Sequence, residues 1–136
     1  MSTQSADQLF KIIDDSTQSS QERTQAVKAL GDLATPAIID RLINLMSNDS
    51  DSSVRWAAAS ALIETGDAAL RPLLTALVER HDSTWLREGA YRVFKETRSA
   101  KVHDVTVDLV KGLKGPAAEV NATDLAAQAM MKLLGV

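Results

Sequence analysis

Residues 54–78 read VRWAAASALIETGDAALRPLLTALV, and this stretch decides the fold. Val54, Ala57, Ala58, Ala61, Leu62 and Thr65 fall at i, i+3, i+4, i+7, i+8 and i+11, which is one face of an α-helix. Leu70, Leu73, Leu74, Leu77 and Val78 form a second face of the same kind. Thr65-Gly66-Asp67 separates them. Gly66 is expected to close the first helix and Asp67 to cap the second. The unit is therefore a pair of amphipathic helices joined by a short turn.

Moving outward, a shift of 32 residues lays the chain on itself. Arg23, Arg55 and Arg87 share a column, as do Ala26, Ala58 and Ala90, and Leu30, Leu62 and Phe94. Ile38, Leu70 and Val102 form another, and Leu45, Leu77 and Leu109 the strongest. Backwards the frame reaches Ala6, Phe10 and Ile13. Forwards it needs four extra residues near Gly112 to Val120, after which Ala126–Met130 lies over Ala58–Leu62. Thr35-Pro36 reads as a cap followed by proline at the first helical position. Ser19 with Glu22, and Asn121 with Asp124, read as capping boxes. Ser16–Gln21 and Gly112-Leu113-Lys114-Gly115-Pro116 read as loops. The β-branched residues do not alternate, so no strand pattern competes.

The expectation is an all-α chain of about eight helices in four layers, one domain over residues 1–136. A half-repeat (5–15) opens it, full repeats follow at 20–48, 52–80 and 84–113, and a half-repeat (121–134) closes it. No helix pair buries its apolar stripe alone, so neighbours must stack on one continuous core.

Asp49-Ser50-Asp51-Ser52-Ser53-Val54-Arg55-Trp56-Ala57-Ala58-Ala59-Ser60-Ala61-Leu62, with Gly66-Asp67 and the leucines after it, resembles HEAT-like repeats of the short bacterial type, often called the phycobilisome-lyase type. Asp82–Ala90 repeats the motif more loosely. The first unit departs from it at Gln21-Glu22, and the last has Thr123 in the arginine column. The resemblance implies a right-handed α-α superhelix, with first helices on the convex side and second helices lining the concave side. It also implies one function, that of a bilin lyase subunit or phycobilisome-associated factor; the function expected ahead of it is a non-enzymatic scaffold or adaptor that offers a rigid concave surface to another protein.

Composition narrows the chemistry. The chain has 136 residues, 45% hydrophobic and 24% charged, a globular balance. It has no cysteine and a net charge of −3, so thiol chemistry is excluded and the basic footprint of phosphate binding is missing. No apolar run reaches the length of a membrane span, and the polar start is no signal peptide. A cytoplasmic location is expected, with neither nucleic acid nor membrane as partner and no cofactor.

No nucleophile elbow and no glycine-rich phosphate loop occurs. His81 falls at a predicted turn. His103, Asp104 and Asp108 form the one cluster to test as a metal site, and they lack further converging ligands. The arginine column is read as a ladder reaching carboxylates or carbonyls of neighbouring turns. The predicted inner face mixes signs: Asp40, Asn44 and Ser47, then Arg71, Thr75 and Glu79, then Asp104, Val107, Asp108 and Lys111.

The expected partner is another protein. The contact residues proposed from sequence are Ile43, Asn44, Thr75, Glu79, Val107, Asp108 and Lys111. Trp56 and Trp85 form an outer alternative, because their columns hold polar residues elsewhere: Thr24 and Glu88 for Trp56, Gln21 and Ser53 for Trp85. Both indoles are also readable as packing in the grooves between stacked first helices, since tryptophan is highly buried on average. Met131 and Val136 leave apolar surface on the closing helix, which fits a monomer with a tucked end or a weak homodimer through terminal helices.

Overall fold

The computed structural model describes residues 5–80 and 82–136. His81, read as a turn residue, lies outside them. Among the described residues, eight α-helices follow one another: α1 (Ala6–Asp14), α2 (Ser20–Leu33), α3 (Pro36–Asn48), α4 (Ser52–Glu64), α5 (Leu70–Glu79), α6 (Thr84–Glu96), α7 (Ala100–Lys114) and α8 (Ala118–Leu134). A short 3-10 turn, Gly66–Ala69, precedes α5.

The 32-residue repeat resolves into a 16-residue rhythm of helix starts. Ser19, Thr35, Asp51, Ser83 and Ser99 each accept a backbone N–H from the first turn of the helix they precede. Such a cap satisfies one of the amides that a helix start leaves unpaired. At Ser19 the hydroxyl also donates to the Glu22 carboxylate, 3.0 Å away. A full capping box forms at Ser5 and Gln8, where the sequence reading did not place one.

Asp67 occupies the remaining place in this rhythm and does not cap α5. Gly66 takes a left-handed conformation (φ +61°), and the 3-10 turn carries the chain to Leu70. The Asp67 carboxylate instead accepts a hydrogen bond from Ser99, the residue 32 positions on. One repeat is thus tied to the next through equivalent positions.

Two further expectations are corrected near the C-terminal end. The loop expected at Gly112–Pro116 shrinks to residues 115–117, because α7 runs through Gly112 to Lys114 and α8 begins at Ala118. A Cβ on Gly112 would lie 2.1 Å from Cδ1 of Leu125, so the missing side chain is the space Leu125 occupies. The helix stops at Gly115, whose extended backbone (φ −77°, ψ 166°) is what the following Pro116 requires. Asn121 does not start a helix either. Its amide donates to the Ala117 carbonyl inside α8, which has no side-chain cap.

Packing follows the columns. Ala26, Ala58, Ala90 and Ala126 are all buried, as are Leu30, Leu62 and Phe94, and Leu45, Leu77 and Leu109. One cluster of buried apolar side chains runs from Leu9 to Ala129. The first-type helices α2, α4 and α6 stack in turn, and α3 packs on both α4 and α6. The fold is an all-α HEAT-like superhelix. The last layer is sheared: α8 packs on α7 and α5 and barely touches α6. Ala122, Ala126 and Ala129 form its buried side, and their small size permits that close approach.

Candidate functional site

Two grooves gather most of the residues singled out from sequence. The first opens between α3 and α5, which meet only lightly. It encloses about 540 Å³ and is lined by Asp40, Ile43, Asn44, Arg71, Pro72, Thr75, Ala76, Glu79 and Arg80. Asn44, Thr75 and Glu79 stand exposed on its walls. Ile43 is only 2% exposed, so it serves as floor and does not project as a contact residue. The reason is helical phase: Ile43 shares the buried side of α3 with Ile39 and Met46. Arg80 also enters the groove and donates to the Ser47 hydroxyl at 3.3 Å. Ser47 in turn donates to the Ile43 carbonyl, which keeps this buried hydroxyl satisfied.

Val107, Asp108 and Lys111 do not line this groove. They are exposed on α7, Val107 at 45%. Asp104, beside them, faces α8: Lys132 Nζ donates to its carbonyl at 2.7 Å and stands 3.7 Å from its carboxylate. The sheared last layer therefore occupies part of the surface that a regular repeat would have left open.

The second groove lies between α4 and α6 on the opposite helix layer. Ser52, Arg55, Trp56 and Ala59 form one wall, and Trp85, Glu88, Gly89 and Arg92 the other, with Met46 also lining it. Its volume is about 210 Å³. Trp56 is 62% exposed and Trp85 41%, so neither indole is buried between the helices. Each is covered on one face by an arginine of the other helix. The Arg92 guanidinium sits 3.5 Å from the Trp56 ring centre, and that of Arg55 sits 3.8 Å from Trp85. Arg92, Gly89 and Met46 were missed at the level of sequence. The signal was available in the spacings 52, 55/56, 59 and 85, 88/89, 92, which place small and aromatic residues on facing sides of two stacked helices.

Two members of the arginine column, Arg23 and Arg55, reach neighbouring turns as the ladder reading expects. Arg23 Nε donates to the Ile13 carbonyl at 2.7 Å, and its Nη2 pairs with Asp49 at 2.5 Å. The Asp49 hydrogen bonds raise the Arg23 pKa above its usual value. Arg55 donates to the Asp49 carbonyl at 2.8 Å. His103, Asp104 and Asp108 make no metal centre: among the described residues no three His, Cys, Asp or Glu side chains converge on a site. His103 Nε2 bonds the Thr97 carbonyl at 2.6 Å, a local helix-start contact. No described helix is long and apolar enough to cross a membrane.

Stacked helix pairs, a 32-residue period and buried alanine columns are now matched by comparison: the HEAT repeats family covers residues 6–95. The chain belongs to the HEAT-repeat family. The match ends within α6, so the sheared layer of α7 and α8 lies outside it. No curated relative and no solved structure matches the chain.

Proposed function

We propose that this HEAT-repeat chain is a non-enzymatic scaffold or adaptor that seats a partner protein in the groove between α3 and α5. The observation that carries the reading is the composition of that groove. Asp40, Asn44, Arg71, Thr75, Glu79 and Arg80 alternate acidic, neutral and basic groups around an apolar floor of Ile43, Pro72 and Ala76. Mixed polar walls over an apolar floor suit a protein surface, and they lack the lysine–arginine stripe that a phosphate backbone demands. The walls belong to two helices locked into the core, so binding orders little and loses little entropy.

The finer resemblance to the phycobilisome-lyase type, and with it a bilin-handling role, finds no supporting feature. The α3/α5 groove has no aromatic lining residue. The α4/α6 groove has two indoles and two guanidiniums, a combination not foreseen from sequence. At about 210 Å³ it falls below the roughly 300–1,000 Å³ of small-molecule sites.

The test is site-directed photo-crosslinking in the native host. A photoreactive residue at Asn44 or Thr75 is expected to trap one and the same protein. The same residue at Lys28, exposed on α2 away from the groove, should not. Adducts only from Lys28, or none from the groove, would remove the reading.

A further inference from the structure

We propose that the α4/α6 groove is a second docking site, for a peptide segment carrying an apolar side chain next to a carboxylate. The argument begins with two arginines of one column. Arg23 turns inward and places its guanidinium on the Asp49 carboxylate, through Nη1 at 3.3 Å and Nη2 at 2.5 Å. Thirty-two residues after Asp49 the sequence has His81, so the next repeat carries no carboxylate at the equivalent place. Arg55 accordingly has a carbonyl and an indole face where Arg23 has an anion. None of the ion pairs among the described residues includes Arg55.

Arg92 is different. It donates to the Trp56 carbonyl at 3.2 Å and the Ser60 hydroxyl at 3.0 Å, and its Nε stands 2.8 Å from the Glu96 carboxylate. Its charge is matched, and its role is to hold Trp56 at a fixed angle. Of the two guanidiniums in the groove, Arg55 is the one outside the ion pairs among the described residues, and Glu88 on the α6 wall is the one carboxylate among the lining residues.

The rest of the groove supplies an apolar slot beside that charge. Gly89 lets Met46 close the floor: a Cβ there would lie 2.5 Å from Sδ of Met46, so the thioether packs directly against the α6 backbone. With Ala59 opposite, the two indoles stand over an apolar floor that includes Met46. The slot is the size of one side chain rather than of a folded surface. An aliphatic group in it and a carboxylate on Arg55 satisfy both halves of the site, since charge-assisted bonds to guanidinium are among the strong ones. Tryptophan and arginine are also the residues that dominate binding hot spots. Glu88 on the facing α6 wall and the net charge of −3 oppose a polyanion, which sets a peptide with a single carboxylate ahead of a nucleic acid strand.

The chain has two tryptophans, Trp56 and Trp85, so the two indole N–H signals in an NMR spectrum report this groove alone. The probe is a blocked hexapeptide, Gly-Gly-Leu-Asp-Gly-Gly, titrated to about 10 mM, a range suited to weak single-motif binding. It is compared with the same peptide bearing Asn for Asp, and with a hexathymidylate strand. The Asp peptide is expected to shift both indole signals and to bind about five-fold tighter than the Asn peptide. In Arg55→Gln, with its fold checked by circular dichroism, that difference should vanish. The peptide comparison uses the unaltered chain and so stands even if the variant fails to fold. Equal affinity of the two peptides, silent indoles, or tighter binding of the oligonucleotide each overturns the proposal.

Discussion

A Cβ added to Gly31 would lie 2.8 Å from the Cβ of Ala61. At these two residues α2 lies directly against α4, and neither partner can rotate away, since both Cβ positions are set by backbone. Alanine at 31 should gain about 1 kcal/mol of helix propensity. It must also push two stacked helices apart, an overpacking cost of about 1–3 kcal/mol. The clash is expected to win. Gly31→Ala should lower the urea midpoint modestly and Gly31→Val much further. An Ala variant more stable than the parent, measured by chemical unfolding, would show that the layer spacing is softer than the geometry implies.

Much of this stacking is legible in the sequence because it follows from period alone. The columns of Ala26, Leu30 and Leu45 repeat at 32 residues, and every member named from them is buried. What period cannot show is where a repeat slips. The position sixteen residues after the Ser99 cap is Gly115, which has no side chain to cap with, so α8 starts late and uncapped and settles against α5 and α7. That shift depends on Leu125 filling the space at Gly112, a contact between residues no local pattern connects. The candidate sites divide in the same way. Asn44, Thr75 and Glu79 were placed together by helical phase. The pairing of Arg55 with Trp85 and of Arg92 with Trp56 depends on side chains reaching across to the neighbouring helix, which a single-helix pattern does not encode.

Ala34 ends α2 in the left-handed region, at φ +42° and ψ +36°. A side chain there crowds the following carbonyl, whereas glycine adopts the conformation freely. Glycine also raises the entropy of the unfolded chain, which offsets part of the gain. Ala34→Gly is expected to stabilise the fold by about 0.5 kcal/mol, read as a higher urea midpoint with an unchanged slope. A lower midpoint would mean that the turn holds Ala34 without strain.

Arg23 joins three elements at once: the end of α1 through the Ile13 carbonyl, its own helix α2, and Asp49 at the end of α3. The side chains of the pair are only 17% and 10% exposed. Removing the guanidinium strands a poorly hydrated carboxylate and a carbonyl. Arg23→Gln should therefore cost about 2–3 kcal/mol, well beyond the loss of an exposed pair. Asp49→Asn in the Arg23→Gln background should cost less than it does alone, since the two groups share one interaction. Additive losses in that double-mutant cycle would show that the pair is not coupled.

Two carboxylates tie stability to acid. The Thr17 hydroxyl and amide hold the Asp15 carboxyl below its usual pKa. Asp51 is held low by the Ser20 hydroxyl, with the Ser53 and Val54 amides and the Arg23 charge adding to it. Folding thus favours the charged form of both groups. Their contribution is fully present above the ordinary aspartate value of about 3.9 and is lost as pH falls through the lowered folded values. The urea midpoint should be level from about pH 7 to 5 and decline below about pH 4. Asn at both positions keeps the turn and cap geometry while removing the titration. The Asp15→Asn, Asp51→Asn double variant should therefore show a shallower acid decline than the parent. An equal decline in both would place the acid sensitivity in other carboxylates.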